Sequence, residues 1–247
     1  MENAQLISLS RQVALQRQMD VVANNMANIN TTGFKNEAML YEEYKMPVAR
    51  DRDFAYPDQS LSYTQDWATM HDLSSGAIIQ TGNPLDVALQ GEGFISVQTP
   101  AGERYTRDGE FKLDNTGTLV TSNGMPVLSE GGTVKFGPAE TDIAFGQDGS
   151  ISSSAGNKGR LKIVRFDQPQ ALKREGDNLY SDPNNGAVAD PDTIVAQGAV
   201  ERSNVSGVTE MANMIRVNRA YQSISQMIER QDELRSKAIQ TLGSMQA

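Results

Sequence analysis

The 247-residue chain holds one histidine, no cysteine and a scatter of carboxylates, so few side chains are available for catalysis. His71 stands beside Asp72, the pair of types that a general base and its orienting acid require. Sequence neighbours rarely face each other, and no Gly-x-Ser-x-Gly elbow supplies a nucleophile. His71 therefore reads as a surface histidine. Gly91-Glu92-Gly93 leads into Phe94-Ile95-Ser96, a strand pattern, without the helix start or the Lys-Ser/Thr of a phosphate loop. It reads as a turn or bulge. Asp182-Pro-Asn-Asn-Gly186 followed by Asp190-Pro-Asp192 resembles a calcium loop superficially. It lacks the closing bidentate Glu and contains Pro183 and Pro191, so a turn-rich loop is expected. Asp108 and Glu110 are candidates for a glycosidase carboxylate pair by proximity alone. Asp66, Trp67 and Met70 read as packing. Nothing assembles a nucleophile, a base and an oxyanion site. The expectation is no enzyme, no cofactor, no metal and no small-molecule substrate.

Composition narrows the classes further. Without cysteine there is no disulfide, thiolate nucleophile or zinc–thiolate site, and a single histidine excludes His-pair metal motifs. A net charge of −9 argues against a nucleic-acid or anionic-membrane surface. With 38% hydrophobic residues the chain can bury a core. No run approaches the roughly 20 apolar residues that span a bilayer. The first residues lack a basic region followed by an apolar one, so no cleaved signal peptide is expected.

Helix breakers show where the elements lie. All nine prolines fall between Pro47 and Pro191, and of 21 glycines only Gly33, Gly207 and Gly243 fall outside 36–200. Breaker-free ends around a Gly/Pro-rich, acidic middle predict two helices flanking a β-rich body. The first helix is expected from about Gln5 to Asn30. Leu15, Met19, Val22, Met26 and Ile29 recur at heptad spacing, while Leu6, Leu9 and Val13 form a second stripe on another face. Asn30-Thr31-Thr32-Gly33 ends it. Asn24, Asn25, Asn28 and Asn30 crowd its last turns, where propensity disfavours them. They read either as a solvated, fraying end or as amides that bond neighbouring helices and set register. The second helix, capped by Ser203 or Ser206, is expected to run to about Leu242. Its seam is Met214, Val217, Tyr221, Ile224 and Ile228, continued by Gln231, Ala238 and Met245.

The two helices most simply form an antiparallel, coiled-coil-like pair. Such a pair alone buries one seam and leaves the other stripe in water, so the ends are expected to fold fully only against neighbouring copies or partners. An intramolecular coiled coil is the plainer reading of the same periodicity. Between them, turn signals at Pro100-Ala101-Gly102, Asp108-Gly109, Asp114–Gly117, Asn123-Gly124 and Asp148-Gly149 separate short alternating runs. The middle is expected to be an antiparallel meander or small barrel. The fold class is thus α+β, with 1–35 a helix, 36–75 a connector, 76–180 the central β-domain, 181–200 a second connector and 201–247 the other helix.

Several stretches carry a family resemblance. Asp20-Val-Val-Ala-Asn-Asn-Met-Ala-Asn-Ile-Asn-Thr-Thr-Gly-Phe-Lys35 resembles the amino-terminal signature of the bacterial flagellar rod and hook proteins. Gly82-Asn-Pro-Leu-Asp-Val-Ala-Leu-Gln-Gly-Glu-Gly-Phe94 and Tyr105-Thr-Arg-Asp-Gly-Glu-Phe111 resemble its central motifs. Ser203-Asn-Val-Ser-Gly-Val-Thr-Glu-Met211 and Asn218-Arg-Ala-Tyr221 resemble its carboxy-terminal signature. The matches lie in order along nearly the whole chain. Within that family, its length and compact connector resemble the proximal rod proteins more than the similar, typically longer distal ones.

The resemblance implies a structural subunit of the flagellar basal-body rod. It would be a type III export substrate without a cleaved signal, polymerising through its terminal helices into a hollow shaft that crosses the periplasm, carries torque and lets later subunits pass. Copies of itself, other rod subunits and the export apparatus would be its partners, and nucleic acid would not. Leu15, Met19, Val22, Asn24, Asn25, Met26, Asn28, Ile29, Met214, Val217, Tyr221, Ile224 and Ile228 would be assembly contacts. A soluble coiled-coil adaptor or export chaperone is the alternative, and a wall-cleaving enzyme using Asp108 and Glu110 a more distant one.

Overall fold

The computed structural model describes residues 2–45 and 62–244, so Met245 and much of the 36–75 segment lie outside the described residues. The class is α+β. The chain divides into two compact units.

The first unit comprises the described parts of Met1–Ala27, Glu37–Met70 and Ser206–Ala247. Helix α1 spans Glu2–Ala27 and α2 spans Gly207–Ser244, 26 and 38 residues. No proline or glycine interrupts either run before Gly243, and Leu, Met, Gln, Arg and Ala dominate, which favours long helices. α1 ends three residues earlier than expected. Asn28 and Asn30 favour turns over helix interiors, and the Thr31 amide donates to the Asn28 carbonyl at 3.1 Å. Gln12 Nε2 donates to Ser225 Oγ at 3.4 Å and Asn25 Nδ2 to Glu210 Oε2 at 3.5 Å. These contacts run α1 and α2 side by side in opposite directions.

Strands β1 (Asn36–Lys45) and β2 (Ser62–Asp72) pair with each other in the segment expected as a connector. β1 is largely exposed. Its stability comes from main-chain pairing rather than a buried face, so it shows no alternating apolar pattern from which to read it.

The second unit comprises Asn28–Asn36 and His71–Val205. Its strands are β3 (Ile78–Gln80), β4 (Val87–Gln90), β5 (Phe94–Thr99), β6 (Gly102–Thr106), β7 (Phe111–Leu113), β8 (Leu119–Thr121), β9 (Leu128–Ser129), β10 (Gly132–Thr133), β11 (Ala144–Phe145), β12 (Ser150–Ser153), β13 (Gly156–Arg160) and β14 (Ile163–Phe166). They continue through β15 (Lys173–Arg174), β16 (Leu179–Ser181), β17 (Ala187–Ala189), β18 (Ile194–Gln197) and β19 (Ala199–Glu201). The largest sheet has the order β15-β16-β6-β5-β14-β17, with every pair antiparallel.

That order is not sequential, so the sheet is not a meander. Strands from 181–200 pair within the same unit: β17 forms one edge of the large sheet, and β18 and β19 make separate two-stranded pairs with β4 and β3. This stretch is part of the body rather than a connector. The partners of β18 and β19 lie more than a hundred residues upstream, beyond the reach of local pattern, whereas β17 pairs with nearby β14. Alternate residues of the large sheet serve two cores. Ile95, Val97, Ile163 and Leu179 join Leu89, Phe111, Leu119 and Val127 on one face. Phe94, Tyr105, Val164 and Tyr180 pack with Leu172 on the other.

Candidate assembly surface and the buried polar contacts

On α1, Val22 and Asn25 are buried, as are Ala14 and Ser8. Leu15, Met19, Met26, Asn28 and Ile29 are half-buried, and Asn24 is exposed. On α2, Val217 and Ile224 are buried, while Met214, Tyr221 and Ile228 are half-buried. None of these heptad positions on either helix is exposed. The second stripe lies elsewhere: Leu6 and Leu9 are each 51% exposed and Val13 46%. On α2, Val208, Met211, Ile215, Met227, Leu234 and Ile239 are exposed too. Sequence reasoning did not single these out on α2, although Val208, Met211 and Ile215 already show helical spacing.

The asparagines separate by position. Asn25 accepts from the Glu37 amide at 3.1 Å and donates to the Glu37 carbonyl at 2.8 Å, pinning the start of β1 to α1. Its contact with Glu210 reaches α2, and Glu210 Oε1 accepts from Asn213 at 3.2 Å. A step of 100° around the helix carries Asn24 from this site to the exposed side.

The second unit holds contacts that residue types alone did not reveal. Lys35 is fully buried. Its ammonium donates to Glu201 Oε1 at 2.5 Å and to the Ser74 carbonyl at 2.8 Å. Arg107, also buried, donates from Nη1 to Glu201 Oε2 at 3.5 Å and from Nη2 to the Gly91 carbonyl at 2.8 Å, and its guanidinium lies 4.9 Å from the centre of the Phe94 ring. Burial pulls the pKa of Lys35 below its ordinary value, and Glu201 opposes the shift. Arg107 is lowered for the same reason and opposed by the same carboxylate. Thr32 donates to Asp108 Oδ1 at 2.6 Å, and the Gly33 amide to the Glu201 carbonyl at 2.7 Å. The stretches quoted for the family resemblance therefore converge: Thr32–Lys35, Gly91, Arg107 and Asp108 meet around Glu201. Their recurrence as motifs was the available signal.

The residues weighed for chemistry hold structure together. His71 is buried, not on the surface, with its ring edge-on to Tyr180 at 5.9 Å. Asp108 accepts from Thr32, Ser122 and the Glu110 amide. Asp182 accepts from the Asn184 and Gly186 amides, and Asp190 from the Asp192 amide and the Thr193 hydroxyl. These carboxylates cap their own turns. The Gly93 amide donates to Thr193 Oγ1 at 3.1 Å. Met70 is 43% exposed, and the side chains of Asp66 and Trp67 lie outside the described residues. No helix among the described residues is long and apolar enough to cross a membrane.

Fold and surface are those of an α+β structural protein that presents apolar helix faces outward. Family models match three stretches: "Flagella basal body rod protein" over 6–35, "Flagellar hook protein FlgE/F/G D1 domain" over 88–153 and "Flagellar basal body rod FlgEFG protein C-terminal" over 196–241. The flagellar basal-body rod protein FlgF of Caulobacter vibrioides is 38% identical over 247 residues, covering 99% of this chain and all of its own. FlgF of Mesorhizobium japonicum is 32% identical, covering 99% of both chains. The rod protein FlgG of Bacillus subtilis is 32% identical over 89% of this chain and 91% of its own. The chain belongs to the flagellar basal-body rod protein family, and its role is that of a structural subunit of the rod.

Proposed function

We propose that the chain is the proximal rod subunit, of the FlgF kind, and that it assembles with copies of itself and other rod subunits through the outward faces of α1 and α2. The carrying observation is the pair of exposed apolar stripes, Leu6, Leu9 and Val13 on α1 and Val208, Met211 and Ile215 on α2. Large apolar side chains grouped on exposed helix faces mark contact surfaces. Length supports the proximal assignment, because the FlgF relatives align over essentially their whole chains.

Leu15, Met19, Val22, Met26, Ile29, Met214, Val217, Tyr221, Ile224 and Ile228 act in assembly by joining the helices as a coiled-coil-like pair and so fixing the outward face. Asn25 sets register there, and Asn24 and Asn28 offer their amides to neighbouring helices of the assembly. The subunit is exported into the periplasmic rod and carries torque.

The test is Leu9→Asp and Met211→Asp, each introduced into a motile strain lacking the wild-type copy. Both positions are exposed, so purified variants should keep wild-type circular dichroism while motility and rod completion are lost. Motile strains carrying both substitutions would overturn the proposed surface.

A further inference from the structure

The backbone passes between the two units through 28–36, 71–76 and 201–205, and within the second unit these three stretches are bonded to one another. Asn204 touches all of them. Its Oδ1 accepts from the Asn36 amide at 2.7 Å, and its Nδ2 donates to the Asp72 carbonyl at 2.8 Å and the Ser74 carbonyl at 3.1 Å. Its own amide donates to the Phe34 carbonyl at 3.4 Å. Beneath it, Glu201 Oε1 accepts from Lys35 of one stretch and, at 2.8 Å, from the Gly76 amide of another. Glu201 Oε2 accepts from Arg107 of the body. The backbone approach is close: a Cβ on Gly76 would lie 1.9 Å from the Arg202 carbonyl oxygen.

We infer that Glu201 and Asn204 form a clasp that closes the three linking stretches as one cooperative element, separate in stability from the β core. Glu201 is the ion-pair partner of two buried cations that come from different stretches, Lys35 and Arg107. Neither cation can lose water favourably until that carboxylate is in place. The carboxylate arrives on β19, just ahead of α2, so the amino-terminal stretch locks only when the carboxy-terminal one does. Asn204 adds a second layer in which one side chain satisfies backbone groups of both other stretches. Removing either layer frees all three stretches at once. The apolar residues of β5, β8 and the Val127 region make their contacts without them.

Amide hydrogen exchange on the full chain tests this. In the wild type, protected amides of 33–36, 74–77 and 201–205 should open with one common free energy and one denaturant dependence. Glu201→Gln leaves two buried cations without a carboxylate. It should lower protection in all three stretches together by roughly 100- to 1,000-fold while β5 and β8 keep theirs. Asn204→Ala leaves the charges intact and should give the same pattern at roughly tenfold. Lys35→Met added to Glu201→Gln should restore part of the loss, because one uncompensated cation is gone. Three stretches that open independently, or loss confined to the mutated stretch, would overturn the clasp. Equal loss in β5 and β8 with both variants would show one global unit and overturn it as well.

Discussion

Replacing Gly33 by alanine isolates the close approach that brings the amino-terminal signature onto the β unit. Gly33 has φ +66°, and a Cβ there would lie 2.4 Å from the carbonyl carbon of Arg107, 2.5 Å from the Asp108 nitrogen and 2.6 Å from the Arg107 oxygen. All three are backbone atoms of a buried segment, so no rotamer change relieves the contact. Left-handed backbone costs alanine about 1–2 kcal/mol. Overpacking against an unyielding wall adds about 1–3 kcal/mol. The shift that relieves it stretches the Gly33-to-Glu201 hydrogen bond, worth about 1 kcal/mol. The sum is about 3–6 kcal/mol. Gly124 is the control: its φ is +82°, and nothing lies within 4 Å of its Cβ position. Gly124→Ala should therefore cost only the backbone strain. Calorimetric unfolding of the two variants reads the difference, about 2–4 kcal/mol. At about 2–4 °C per kcal/mol that separates the midpoints by roughly 5–15 °C. Equal midpoints would refute the reasoning, since both glycines would then serve φ alone.

Asn25→Ala removes two hydrogen bonds to the Glu37 backbone at a buried position, and should destabilise the helical unit by about 1–3 kcal/mol in urea unfolding followed by far-ultraviolet dichroism. Asn25→Asp should cost more near neutral pH than in acid, because it sets a carboxylate beside Glu210. A flat pH response would dismiss that explanation. Glu140 accepts from Lys158, Ser153 and the Gly137 amide, which lower its pKa from 4.5 to about 2. Because the folded pKa is the depressed one, its contribution is present above about pH 4.5 and disappears as pH falls toward 2. Glu140→Gln should flatten the acid limb of the stability profile over that window, and an unchanged slope would contradict the assignment.

Much of this architecture was legible locally. Both helices announce themselves through missing breakers and heptad spacing, and the turns at Asp114–Gly117 and Asn123-Gly124 through residue types that tolerate left-handed backbone. Gly117 and Gly124 have φ of +75° and +82°. Less could be read where stability is not local. The pairing of β1 with β2 leaves no apolar alternation, and β18 and β19 need partners more than a hundred residues away. His71 looked like a surface residue because nothing near it in the chain predicts Tyr180 as its neighbour.

The chain by itself determined the plan: two terminal helices, a β body between them, and motifs specific enough to place it among the flagellar rod proteins. Periodicity and turn chemistry are properties of a few consecutive residues, so they survive in the sequence. Tertiary structure decided which apolar stripe faces inward and which remains exposed, that Asn25 joins α1 to β1, and that Lys35 lies buried. The Lys35 partner is 166 residues further along and the Arg107 partner 94. Burial of a charge depends on a counter-ion brought close by the whole fold, and no local pattern records that distance.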